Sequence, residues 1–208
     1  MSVYPAWEFG FWPKKKPNLI QDFNFNVDGL SELVNWGMEN NMYLIHHCLF
    51  FPNKYFPNWF WEASYNSSEL DQILNIFIEK VLISNKNGEK IDALNVINEI
   101  FDKNGKYRPS GNGKEDVKWM DIGYEDDNSG LSGQQKINDK HPQFVRKVLV
   151  KSRSLSDAKL EIRDFNIAFG GKKADGLYQL IKHLKNSNIP IDAVGFQCHL
   201  NANINYNY

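Results

Sequence analysis

Four apolar runs of this chain end in polar side chains able to do acid–base or hydrogen-bonding chemistry. They end in His46 and His47, in Asn98 and Glu99, in Asp164 and Asn166, and in Gln197 and His199. The run that carries Glu99, residues 91 to 101 (IDALNVINEIF), is rich in β-branched and apolar residues and reads as a buried strand. A carboxylate at the end of such a strand is costly unless it has work or a partner. The plain alternative is four separate strand caps. Caps, however, would scatter polar residues over both ends of the strands, and here they gather at one. If the strands are parallel, the four ends converge on a single polar pocket, the face where parallel α/β barrels build their active sites. Gln197 and His199 are two apart and point to the same side of their strand, and Gly195 on that side leaves room beside the pocket.

The same residues argue against a metal centre. In HHC at 46 to 48 and CH at 198 to 199, adjacent side chains on a strand face opposite ways and do not converge on one ion. The helical ligand spacings of zinc sites are absent. Cys48 and Cys198 read as small buried fillers, and two cysteines suggest no disulfide framework. GGKK at 170 to 173 lacks the spacing of a phosphate-binding loop, so the reading calls for no cofactor.

The elements that must position these groups follow from periodicity. Asp28 can cap a helix in which Leu30, Leu33, Val34 and Met38 recur at helical spacing. MYLIHHCLFF, residues 42 to 51, reads as a strand, followed by a loop rich in proline and aromatics. ELDQILNIFIEKVLISN is a second amphipathic helix, and the Glu99 strand comes next. Residues 102 to 140 are a long, weakly patterned connection with one helical piece near VKWMDIG. A helix in HPQFVRKVLVKSRS, a strand in KLEIRDFNIAF, a helix in KKADGLYQLIKHLKNSN and a strand in IPIDAVGFQCHL complete the alternation. Strand–helix alternation implies a parallel sheet, either an open doubly wound sheet or a barrel. With 208 residues, 42% hydrophobic, the chain suffices for one domain with a core. A net charge of −1 argues against nucleic acid or an anionic membrane as main partner. MSVYPAWEFG shows no signal peptide, and the polar tail NANINYNY reads as irregular.

Several stretches together resemble glycoside hydrolase family 10, the endo-β-1,4-xylanase family. DFNIAFGGKKADGLYQLIKHLKNSNIPIDAVGFQCHLN, residues 164 to 201, is similar to that family's fifth strand, fifth helix and sixth strand, which ends GFQxH. DALNVINEIFDKNGKYR resembles its fourth strand, usually WDVVNEAF, followed by a loop with an Arg. MENNMYLIHHCLFFPNKYFPNWF resembles the third strand, usually ending GHTLVWH. The resemblance implies a (β/α)8 TIM-type barrel, here incomplete and matching strands two to six, so that residues 1–208 form one partial catalytic-type domain. It implies a retaining glycosidase acting on xylan or a related β-1,4-linked polysaccharide, secreted by family analogy. Carried over, Glu99 falls on the general acid/base, and Asn98 on the Asn that contacts the sugar hydroxyl next to the cleaved bond. His47 falls on the His of GHT, and Gln197 and His199 on the Gln and His of GFQxH. Asp164 and Asn166 match the strand end NDYN as supporting residues, with Arg163 and Phe165 replacing its Asn and Tyr.

The departures shape the expectation as much. The family's second strand usually ends ENxMKW, whereas WEFGFW, residues 7 to 12, has Phe11 at the Lys position and only Glu8 acidic. The Trp-His of VWH becomes Phe51-Pro52. The family's nucleophile lies on a seventh strand, which no residue here matches. Either further sequence or a second chain completing the barrel would supply it. The alternative is a non-catalytic carbohydrate-binding or structural remnant, in which Trp7, Phe9, Phe11, Trp12, Trp59 and Trp61 stack on sugars or belong to the core.

Overall fold

The computed structural model describes residues 2–3, 11–125, 140–199 and 203. Among the described residues five strands form one sheet: β1 (Ser2–Val3), β2 (Ile45–Phe50), β3 (Ala93–Asn98), β4 (Lys159–Phe165) and β5 (Ala193–Gln197). Their order across the sheet is their order in the chain, and every neighbouring pair is parallel. A doubly wound sheet must reverse its strand order at a switch point. The unbroken order here is that of a barrel sector, so the alternative left open by the sequence is resolved towards the barrel.

Helices α1 (Asp28–Glu39), α3 (Ser67–Ile83), α5 (Gln143–Leu155) and α6 (Lys172–Asn186) fill the crossovers, with short α2 (Asn58–Glu62) and α4 (Asn87–Lys90) flanking α3. α3 buries Leu70, Ile73, Leu74, Phe77, Ile78, Val81 and Leu82 along one stripe. Its start is fixed by a capping box, in which the Asn66 side chain accepts from the Glu69 backbone N–H and Glu69 accepts from that of Asn66. In α5, Phe144, Val145, Val148 and Leu149 face inward. In α1, Asp28 is the first helical residue and not its cap, and Met38 turns outward while Leu30 and Val34 are buried. The Pro- and aromatic-rich loop after β2 contains α2, because Phe60 and Trp61 find a buried face to pack on.

Among the described residues, the aromatics weighed as sugar platforms are core or pack against it. Trp12 lies 4.6 Å from Phe60, 4.9 Å from Phe25 and 5.3 Å from Phe56 between ring centroids. Phe11 and Trp61 are buried as well, and half-buried Trp59 donates its indole N–H to the Pro13 carbonyl. Trp7, Glu8 and Phe9 lie outside the described residues. The connection after β3 is more ordered than its composition suggests. Trp119, in a 3-10 turn over Lys118–Ile122, is fully buried against Phe50 and Phe60. Residues 126–139 of that connection lie outside the described residues.

Candidate active site at the strand ends

Register decides which side chains share a face. His47 lies beside Asn95, Asn95 beside Glu161, and Glu161 beside Ala193. One step further, Asn98 lies beside Arg163 and Arg163 beside Gly195, and the last step pairs Phe165 with Gln197. Residues in register on parallel strands point the same way, so one face of the sheet carries His47, Asn95, Asn98, Arg163 and Gln197. His46, Leu94 and Leu160 occupy the other face. His46 is therefore not part of the pocket: it is fully buried, and neither ring nitrogen has a hydrogen-bond partner. Burial holds its pKa down at about 3.

A chain of hydrogen bonds crosses the sheet at the strand ends. Asn95 Nδ2 donates to His47 Nδ1 at 2.6 Å and to Asn98 Oδ1 at 2.9 Å. Gln197 Nε2 donates to the same Asn98 oxygen at 2.5 Å, and His199 Nε2 lies 3.1 Å from Gln197 Oε1. Because an amide N–H faces His47 Nδ1, that nitrogen is the acceptor and the ring is neutral. Burial, with the Arg163 charge nearby, lowers the His47 pKa to about 4. Asn98 Nδ2 in turn points to Glu99 Oε1 at 3.3 Å. Four of the expected residues, His47, Asn98, Gln197 and His199, are thus linked to each other and to Glu99.

Glu99 occupies the left-handed region, with φ 54°. Such a conformation costs on the order of 1–3 kcal/mol for a residue with a side chain. Two hydrogen bonds hold it there: the Glu99 N–H donates to the Arg163 carbonyl at 2.9 Å, and Arg108 Nε donates to the Glu99 carbonyl at 2.8 Å. The turn takes the chain out of β3 and leaves the carboxyl half-buried. Burial raises its pKa and the Asp164 charge adds to this, while Lys54, Arg108 and Lys173 pull it back down.

Asp164 faces away from Gln197 and is fully buried. Its carboxylate accepts from the Phe165 N–H at 2.9 Å and the Phe101 N–H at 3.3 Å, and pairs with Lys173 Nζ at 2.7 Å. It is a structural anchor between β4 and the first turn of α6. Asn166 follows it at φ 54° and is exposed, outside the hydrogen-bonded chain. Arg163, at the family's Asn position, pairs with Glu161 Oε1 at 2.5 Å and lies over Gly195. Arg163 takes the space directly over Gly195, where a Cβ would meet Arg163 Cγ at 2.3 Å, while Gly195 still lines the open space beside it. A cleft of ≈ 480 Å³ opens between His47, Arg163, Gln197 and His199. Cys48 is buried as expected, but Cys198 is exposed at the end of β5. Among the described residues no three His, Cys, Asp or Glu side chains come together to hold a metal ion.

Comparison with known proteins gives the family and the fold. The model of glycosyl hydrolase family 10 matches residues 13–208. The chain belongs to glycosyl hydrolase family 10. Among its relatives, endo-1,4-beta-xylanase A of Thermoanaerobacterium saccharolyticum is 30% identical over 203 residues, covering 91% of this chain and 15% of that protein. Endo-1,4-beta-xylanase C of Phanerodontia chrysosporium is 28% identical over 191 residues, covering 91% of this chain and 40% of that protein. The crystal structure of xylanase 10B from Thermotoga petrophila RKU-1 in complex with xylobiose superposes with a TM-score of 0.68 at 25% identity. That match covers 85% of this chain and 46% of the Thermotoga chain. The family 10 chain described here thus spans less than half the length of these three relatives, and its fold is part of a (β/α) barrel.

Three residues of the site escaped the sequence reading. Asn95 sits three before Asn98, a spacing that would oppose the two side chains on a regular strand. The irregular pairing between Asn95 and Ile97 brings them to one side. Lys173 lies at a helix start and Lys54 in a short turn, and neither position marks its charge as one that bears on Glu99. Arg108 was visible as the Arg of the loop after the fourth strand, but not its bond to the Glu99 carbonyl.

Proposed function

We propose that these residues form the acid/base half of the active site of a retaining endo-β-1,4-xylanase, with Glu99 as general acid/base. His47, Asn98, Gln197 and His199 bind the sugar beside the cleaved bond. The observation that carries the reading is the hydrogen-bonded chain from His47 through Asn95 and Asn98 to Gln197 and His199, gathered around a half-buried carboxyl. A general acid must keep its proton near neutrality, and burial is what raises a carboxyl into that range. The bound sugar's glycosidic oxygen takes the Glu99 proton as the bond to the leaving group breaks. Glu99, then a carboxylate, later draws a proton from the water that releases the sugar.

Double displacement also needs a nucleophilic carboxylate about 5–5.5 Å from the acid. Asp164 is tied to Lys173 and two backbone N–H groups and is a poor candidate. We infer that the nucleophile comes from outside these residues, from further sequence of the same protein or from a second chain that completes the barrel. The 208 residues alone are then expected to turn over no aryl xylobioside. Calorimetric titration with xylo-oligosaccharides, run beside a hydrolysis assay of the full-length protein, tests the reading. Binding with hydrolysis supports it, whereas binding without hydrolysis favours the carbohydrate-binding remnant.

A further inference from the structure

The charges of Lys54 and Arg108 both bear on Glu99, yet neither forms an ion pair with its carboxyl. Both are engaged elsewhere, and by the same group. Lys54 Nζ lies 2.9 Å from Glu115 Oε1, and Arg108 Nη1 lies 2.9 Å from Glu115 Oε2. One carboxylate thus occupies both cations, one oxygen each. Arg108 is further fixed by its Nε bond to the Glu99 carbonyl and by the Glu115 carbonyl, so its guanidinium faces backbone. Among the described residues Lys54 has no backbone carbonyl to fix it; its ammonium overlies the Tyr55 ring at 5.1 Å and hydrogen-bonds the Tyr55 side chain.

We propose that Glu115 is a positioning residue that draws the Lys54 ammonium and the Arg108 guanidinium onto itself and away from the Glu99 carboxyl, so that Glu99 keeps its proton. The inference rests on the reading of Glu99 as general acid, and gives that acid a guard. A lysine is a flexible point charge on a four-carbon stem. Released from Glu115, Lys54 is left with Glu99 as the other carboxyl whose charge bears on it. An ion pair there favours the carboxylate and strips the proton that the leaving group needs. The other charged and titratable groups that bear on Glu99 are Asp164 and Lys173, which neutralise each other at 2.7 Å, and Tyr55 and Cys48, which are uncharged near neutrality. Of these groups, only Lys54 and Arg108 are cations held by a partner that is itself half-exposed and replaceable.

The test reads the Glu99 carboxyl directly. In protein labelled with carbon-13 at glutamate carboxyls, the Glu99 signal is assigned by its loss in Glu99→Gln and followed through a pH titration. Glu115→Ala is expected to move the midpoint to lower pH by roughly one pH unit. Glu115→Ala combined with Lys54→Met is expected to bring it back to the starting value or above. Glu115 is 56% exposed, so neither change disturbs the core; Glu115→Gln serves as a second, isosteric variant. An unmoved midpoint in Glu115→Ala and Glu115→Gln overturns the proposal. So does a double variant as low as Glu115→Ala, which would mean that Lys54 is not the agent. Because the midpoint is read without substrate, these outcomes are independent of whether Glu99 is the acid. That question is answered separately by the activity of Glu99 variants.

Discussion

Replacing Lys173 with Met strands a buried carboxylate, and the cost can be worked from the surroundings. Lys173 Nζ and Asp164 Oδ1 are 2.7 Å apart, with side chains 6% and 0% exposed. Breaking a buried pair from one side typically costs about 3–5 kcal/mol, because the remaining charge has lost both water and partner. That is a large part of a domain's total stability of about 5–15 kcal/mol. Burial already pushes the Asp164 carboxyl above its ordinary range while Lys173 pulls it down. Without Lys173 it rises further. A group whose folded pKa lies above its unfolded value stabilises fully below the unfolded value, and this is lost as pH rises through the folded one. The loss in Lys173→Met should therefore approach the full 3–5 kcal/mol near pH 8, and shrink near pH 5 as Asp164 takes up a proton. Urea unfolding followed by tryptophan fluorescence at the two pH values measures it. Lys173→Met combined with Asp164→Asn should recover most of the loss, since a neutral pair leaves no stranded charge. A Lys173→Met loss below about 1 kcal/mol near pH 8, the range of exposed pairs, would mean that Asp164 is not a stranded buried charge.

Gly195→Ala puts a Cβ 2.3 Å from Arg163 Cγ and should cost about 1–3 kcal/mol in the same unfolding assay, with relief when Arg163 is shortened to Ala. Lys54 pulls the Glu99 carboxyl down, so Lys54→Met should carry xylan hydrolysis by the full-length protein to higher pH, seen as a displaced alkaline limb of kcat/KM. His46 and His47, held at about 3 and about 4 against 6.5, bind protons less readily folded than unfolded. Stability should therefore fall as pH drops from 6.5 towards 4, by at most about 1.4 kcal/mol per pH unit for each histidine. His46→Leu should flatten that slope.

The strand–helix alternation was legible because its periods are strong. The stripe of α3 and the β-branched run of β3 each state one local structure. The gathering of polar strand ends was legible too, since parallel strands force equivalent ends together. What stayed hidden depends on irregularity and on distant partners. A shift in pairing between Asn95 and Ile97 turns Asn95 into the link between His47 and Asn98, and no local pattern announces it. Arg163 packs directly over Gly195, which still lines the cleft, and no local pattern announces that contact. His46 read as a polar strand end although it faces buried apolar residues, because alternation alone does not say which of two adjacent histidines faces the pocket. Aromatic residues such as Trp12 look alike in a core and on a sugar platform until their neighbours are known.

If Glu99 is the proton donor, its loss must weigh most on substrates whose leaving group needs a proton. A good leaving group such as dinitrophenolate departs without a proton, whereas a sugar hydroxyl does not. In the full-length protein, Glu99→Ala should lower kcat/KM on xylo-oligosaccharides by about 10²–10⁴-fold. It should leave the first bond-breaking step on dinitrophenyl xylobioside, read as a pre-steady-state burst, far less affected. An equal loss on both substrates, or no loss on either, would contradict the assignment of Glu99 as the acid.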